Sequence, residues 1–250
     1  MSEVLPLFPL STVLFPGMRL PLHLFEERYR LLVAHLQAQP EPRRFGVIAI
    51  RQGREVGESG VRALYEVGCV AAVRQIVSHA DGRFDLATVG TERFRLLRLD
   101  DSQPYFQGEV EFLPDEPPAR QPGAAPGLSE TGPAGTGPGN TGPGNTGPAA
   151  LAAATSRVQA GFRAYLNALA DRGGGVISVA DLPDEPLLLS YVVGAAMIID
   201  LPERQSLLAA PSALDRLRLE RSLLTRETEM VRVTTSRPAP DFAFEQFSEN

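Results

Sequence analysis

The sequence predicts an α+β chain: a small β-barrel of six or so short strands, followed by an α-helical bundle. Three observations predict it. Residues 1–118 hold short apolar or alternating runs punctuated by Gly, Asp and Pro. Residues 151–232 repeat apolar side chains at helical spacing. Between them the composition of residues 119–150 changes abruptly, to nine Gly, six Pro and only two charges, Arg120 and Glu130.

In the first region, Phe15-Pro16-Gly17-Met18 places Pro and then Gly at the centre of four residues, the pattern of a type II turn. One helix is expected from about Glu26 to Gln37, because Tyr29, Leu32, Val33 and Leu36 fall on one face. Strands are expected at Phe45–Ile50, Cys69–Val77, Arg83–Val89, Phe94–Leu99 and Phe106–Phe112. Asp81-Gly82 joins the second and third of these as a hairpin turn. Short strands with irregular connections favour a closed or nearly closed barrel over a parallel α/β sheet.

The middle segment repeats with period five: TGPAG, TGPGN, TGPGN and TGPAA from Thr131, Thr136, Thr141 and Thr146. Collagen needs Gly at every third residue, so this is not collagen. With little to bury, it is expected to be a disordered insertion, tolerated because loop-closure entropy grows slowly with length.

In the last region, Val158, Phe162, Tyr165, Leu166 and Leu169 make one apolar helix face, ended by Gly173-Gly174-Gly175. A second helix follows Asp184 with Pro186 in its first turn; it is apolar nearly all round and is expected at the buried centre of the bundle. Asp200-Leu201-Pro202 starts a third, stopped before Pro211. Ser212 with Asp215 resembles a capping box opening a fourth, with Leu214, Leu217, Leu224 and Val231 inward. Residues 233–250 read as a flexible tail carrying Phe242, Phe244 and Phe247 among acids.

Composition excludes several chemistries. All 24 basic residues are Arg, and there is no Lys. A P-loop, a Schiff-base enzyme and a Ser–Lys dyad all need that amine, so none can be built from these residues. Cys69 is the single cysteine, which excludes an intrachain disulfide and a cysteine zinc site; in GCVAAV it reads as a small buried thiol. The net charge is −6, divided as −3 over residues 1–118 and −3 over residues 119–250, so nucleic acid and anionic membrane are unexpected partners. No signal peptide and no run of transmembrane length is seen, and a cytoplasmic location is expected.

No catalytic, cofactor-binding or metal residues are assigned. His23, His35 and His79 have neither HxH nor HxxxH spacing. No GxSxG marks a nucleophile elbow. Asp115-Glu116 and Asp184-Glu185 sit beside Pro at element boundaries, and helix capping accounts for the second. His23, Phe25, Glu26, Arg28 and Tyr29 form the densest polar-aromatic cluster. Its expected role is structural: Glu26 paired with Arg28 or Arg93, tying the helix to the barrel. Arg93, Arg95 and Arg98 make only a thin basic patch, so RNA binding ranks below peptide binding.

LPLFPLSTVLFPGMRLPLHLFEERYRLLV, residues 5–33, resembles the opening of the substrate-binding N-terminal domain of Lon proteases. There the pattern runs PLFPL, VLFPG, LPLHIFE, RY; here it is Pro6–Leu10, Val13–Gly17, Leu20–Glu26 and Arg28-Tyr29. YEVGCVAAV (Tyr65–Val73), DGRFDLATVGTERFRL (Asp81–Leu96), PYFQGEVEFLPDE (Pro104–Glu116) and ERQSLLAAPSALDRLRLERSLL (Glu203–Leu224) resemble later family segments, in order. The resemblance implies a PUA-like barrel followed by a helical bundle, and a stand-alone, non-catalytic module that recognises unfolded or flexible polypeptide. It leaves open an adaptor that docks on a separate AAA+ protease, and an RNA-binding role. Phe8, Phe15, Phe25 and Phe45 are candidates for exposed receptor surface, with the core expected for each. The peptide-binding residues themselves are not identified.

Overall fold

The structure, a computed structural model, describes residues 2–53, 61–115, 147–173 and 181–233. The period-five repeat from Thr131 and the Phe-bearing tail lie outside the described residues. Seven strands come first, with one helix among them: β1 (Ser2–Leu10), β2 (Arg19–Leu24), α1 (Glu27–Ala38), β3 (Arg44–Gly53), β4 (Val61–Leu64), β5 (Val67–Ser78), β6 (Phe84–Asp100) and β7 (Gln107–Leu113). Four helices follow: α2 (Pro148–Gly173), α3 (Pro186–Ala196), α4 (Leu201–Ala209) and α5 (Ala213–Val233). The chain is therefore α+β. α2 begins within the last residues of the segment read as an insertion.

The sheet is mixed. Its order is β1-β7-β6-β5-β3-β4, with β2 on β6, and β1 also pairs in parallel with β3 through Leu7↔Gly46 to Leu10↔Ala49. The other pairings are antiparallel.

The local signals act as the sequence suggests. Gly17 has φ +80° and the Met18 N–H donates to the Phe15 carbonyl, closing the turn. That turn lies on β6, where the Gly17 N–H donates to the Gly90 carbonyl and the Gly90 N–H to the Met18 carbonyl. A Cβ on Gly90 would sit 2.2 Å from the Phe15 carbonyl oxygen, so only glycine permits the approach. Gly82, at φ +82°, turns β5 into β6. Glu185 caps α3 by accepting from the Leu187 and Leu188 N–H groups, and Asp200 caps α4 through the Glu203 N–H. Ser212 Oγ accepts from the Asp215 N–H and donates to its carboxylate, opening α5.

Two expectations are corrected. The runs Arg83–Val89 and Phe94–Leu99 form one strand, β6, because the chain passes through Gly90 with only a register shift against β5. α3 is not buried all round. Leu189 and Val193 enter the helical core and Tyr191 meets the sheet, but Leu188 and Val192 are exposed on the arc between those contacts.

Both faces of the sheet are packed. One face of β3 and β5 carries Phe45, Val47, Cys69 and Ala71 under α1, through Leu32, Val33 and Leu36. Farther along that face, Ala49 and Val67 meet Tyr191 of α3 and Leu207 and Leu208 of α4. The opposite face gathers Leu5, Leu7, Ile48, Val70, Phe94 and Val110. A third core joins α2, α3 and α5 around Val158, Phe162, Tyr165, Val193, Leu217 and Leu224.

A buried polar joint fastens sheet to helices. Arg93 of β6 reaches Asp115 at 2.8 Å and donates to the carbonyls of Leu208 and Ala210 at 2.9 and 2.7 Å. Arg216 of α5 donates to the Leu207 carbonyl at 2.9 Å, to Ser190 Oγ at 2.9 Å, and to Asp115 at 3.4 Å. The Tyr191 hydroxyl donates to Asp115 at 2.6 and 2.7 Å, beneath the Arg216 guanidinium 4.1 Å from its ring. The two arginines thus donate to carbonyls at the end of α4, that of Leu207 also accepting from the Ala210 N–H. Burial raises the Tyr191 phenol and lowers Arg216, so Tyr191 remains a neutral donor. Beside them Glu220 is fully buried, and burial pushes its carboxyl well up, toward the neutral form.

Candidate functional site

β2 owes its position to the turn before it and the helix after it. Its burial alternates until Leu24 plugs into the core, and Glu26 then starts α1. It pairs with β6 from Arg19↔Val89 to Leu24↔Phe84 and has no second strand partner among the described residues. Pro21, which lacks an N–H, suits such an edge position.

Two grooves flank this strand and share Pro21, Leu22 and His23. The first, about 210 Å³, lies between Phe8–Leu10 at the end of β1 and Pro21–Glu26, with Tyr29 of α1 in its lining. The second, about 410 Å³, runs over β2, β6 and β5, past Gln75, Val77 and Asp85. Phe25 stands at the lip of the first groove, 55% exposed, and Val77 in the second is 40% exposed. Phe8, Phe15 and Phe45, in contrast, are core.

The electrostatics here are local. Asp85 receives His23 Nδ1 at 2.5 Å and His79 Nε2 at 2.7 Å, and these bonds hold its carboxyl below the usual range. In the adjoining turn, the bonds from Arg83 bring Asp81 to about 2. Glu26 pairs with Arg28 at 2.9 Å, and that guanidinium lies 4.5 Å from the Tyr29 ring centre. Tyr29 in turn stacks 4.2 Å from Phe8.

The pair expected of Glu26 therefore forms with Arg28, two residues on at the start of α1. Arg93 takes no part in it; it is buried in the joint with Asp115. The arginine trio does not assemble a patch either, since Arg95 faces Glu111 at 3.9 Å and Arg98 opposes Glu109 across the ladder. His23 and His79, 56 positions apart in the chain, meet on Asp85. Among the described residues, no group of three or more His, Cys, Asp or Glu is placed to hold a metal ion. Cys69 is fully buried, and burial raises its thiol to about 12, which removes it as a nucleophile at neutral pH. Asp115, Tyr191 and Arg216 are the residues the sequence reading missed. Their available signals were polar Ser190 within an apolar helix and Arg216 beside the inward Leu217.

The fold is a mixed sheet carrying helices, with apolar grooves along a strand that pairs on one side among the described residues. Solved structures share this fold. The Lon N-terminal domain protein from Xanthomonas campestris matches 89% of this chain and 98% of its own, at 22% identity and TM-score 0.52. The N-terminal domain of Mycobacterium avium complex Lon protease matches 91% and 98%, at 17% identity and TM-score 0.55. The family model for the ATP-dependent protease La (LON) substrate-binding domain matches residues 4–226, and the chain belongs to that family.

Lon protease 2 of Syntrophobacter fumaroxidans is 24% identical over 232 residues, covering 92% of this chain and 25% of its own length. Lon protease of Anaeromyxobacter dehalogenans is 32% identical over 113 residues, 45% of this chain and 13% of its own. The chain thus spans a quarter or less of these curated relatives. Only their N-terminal substrate-binding region is matched, which is non-catalytic. Among the described residues, no helix is long and apolar enough to cross a membrane.

Proposed function

We propose that this chain is a non-catalytic polypeptide-recognition module that binds unfolded or flexible segments along β2. The observation that carries this is a strand paired on one side only among the described residues, lying between two apolar grooves, with Phe25 exposed at the lip. An extended client offers what such a surface lacks: backbone donors and acceptors for the open edge, and alternate side chains for the grooves. On this reading β1, β7, β6, β5 and β3, whose pairing path returns to β1, make up the small PUA-like barrel, and α2–α5 the helical bundle. The segments divide as 1–118, 119–150, 151–232 and 233–250.

The test compares full-length protein binding to reduced, carboxymethylated lactalbumin and to the same protein with its disulfides intact. The reduced form is expected to bind at least tenfold tighter. Phe25→Asp is expected to remove most of that preference without lowering the melting temperature, because the ring is already half in water. Equal binding of the two forms, or an unchanged preference in Phe25→Asp, overturns the proposal.

A further inference from the structure

On the far side of the helical region lies a third groove, about 500 Å³, between the first halves of α2 and α5. Its floor is small and apolar, including Ala149, Ala153 and Ala154, and its walls carry Arg157, Arg218 and Arg221. Asp215 is ion-paired with Arg218 at 3.3 Å. Arg157 and Arg221 are exposed and make no side-chain ion pair among the described residues. α2 and α5 run in the same direction, since Ala149–Arg157 sit beside Leu214–Arg221 and Gly161 lies against Leu224. Both helices therefore place their positive N-terminal ends at the same end of this groove, and α2 has no acid in its first turn to offset its own. The groove is built for an anionic segment with room for apolar contact.

The sequence that follows α5 has that chemistry. Residues 234–250 contain Asp241, Glu245 and Glu249, spaced by four, with Phe242, Phe244 and Phe247 between them and a single basic residue, Arg237. A spacing of four aligns carboxylates on one helix face. The connection is long enough. From Val233 back to Arg221 is about 18 Å along the helix axis. The link from residue 233 to residue 241 spans at most about 26 Å. Asp241 so placed would leave Glu245 one helical turn farther along, at the level of Arg218.

We propose that residues 241–249 fold back onto the arginine-lined groove between α2 and α5, with their carboxylates on Arg157, Arg218 and Arg221. This rests on the groove and the charge pattern, independently of how clients bind along β2.

The test is chymotryptic cleavage at Phe242, Phe244 and Phe247 in the intact protein, followed by mass spectrometry. At low salt the tail is expected to be cut slowly, with at least a tenfold acceleration in Arg157→Glu/Arg221→Glu and in 0.5 M salt. Adding Asp241→Arg and Glu245→Arg to the arginine variant is expected to restore protection by reversing both sides of the pairing. Core cleavage in the same digest controls for folding, and light scattering reports self-association. A tail cut equally fast in parent and variant overturns the proposal. So does protection that varies with protein concentration, which would place the tail on a second copy.

Discussion

Removing the Asp115 carboxylate tests the joint between sheet and helices most directly. In Asp115→Ala, Arg93 and Arg216 lose their shared anion while remaining 2% and 0% exposed, and the Tyr191 hydroxyl loses its acceptor. Breaking a buried pair from one side costs about 3–5 kcal/mol. Asp115 itself is 22% exposed. Water can therefore partly replace it, and the lower end, about 3 kcal/mol, is expected. For a protein of this size each kcal/mol moves the midpoint by roughly 2–4 °C, so Tm should fall by about 6–12 °C. Asp115→Asn keeps an acceptor for Tyr191 and loses only the charge, so it should fall by less. Tyr191→Phe removes one hydrogen bond, worth about 1 kcal/mol. Calorimetry with far-UV circular dichroism measures all three. If the joint couples the two regions, Asp115→Ala should also broaden or split the transition. A single transition within about 2 °C of the parent would refute the reasoning.

Two further outcomes follow from packing and burial. Gly90→Ala forces a methyl against the Phe15 carbonyl oxygen and should cost about 1–3 kcal/mol, read as a lower urea midpoint with unchanged slope. The Cys69 thiol, raised to about 12 by burial, should not react with Ellman's reagent at pH 8 in the native protein. It should titrate as one thiol in guanidinium; native labelling within minutes would contradict its placement.

What the sequence revealed and what it hid divide along range. Turns, caps and helix faces depend on residues within four positions of each other. The Phe15–Met18 turn, the α1 face, the Pro186 start and the Ser212–Asp215 cap were accordingly all legible. β1 and β2 were not assigned as strands because Pro6, Pro9 and Pro21 weaken the local strand signal, and the partners that override it lie far along the chain. β6 was split because Gly90 reads as a break, although its lack of a side chain serves the turn docked on it. Asp115 looks like a boundary residue in the sequence because its partners Tyr191 and Arg216 lie 76 and 101 positions away. The family motifs cover the strand carrying Pro21 and the exposed Phe25 without showing that β2 pairs on one side among the described residues.

The pairings of β1 carry a consequence for how the molecule is made. β1 bonds on one side to β3 and on the other to β7, whose last residue is Leu113. Until that point has emerged, the apolar side chains Leu5 and Leu7 lack one flank of their shelter. Those side chains therefore stay partly exposed while the roughly hundred residues between β1 and the end of β7 are made, at about 5–20 residues per second. A pause before Gln107 would lengthen that interval of several seconds, since β7 supplies the second flank of β1.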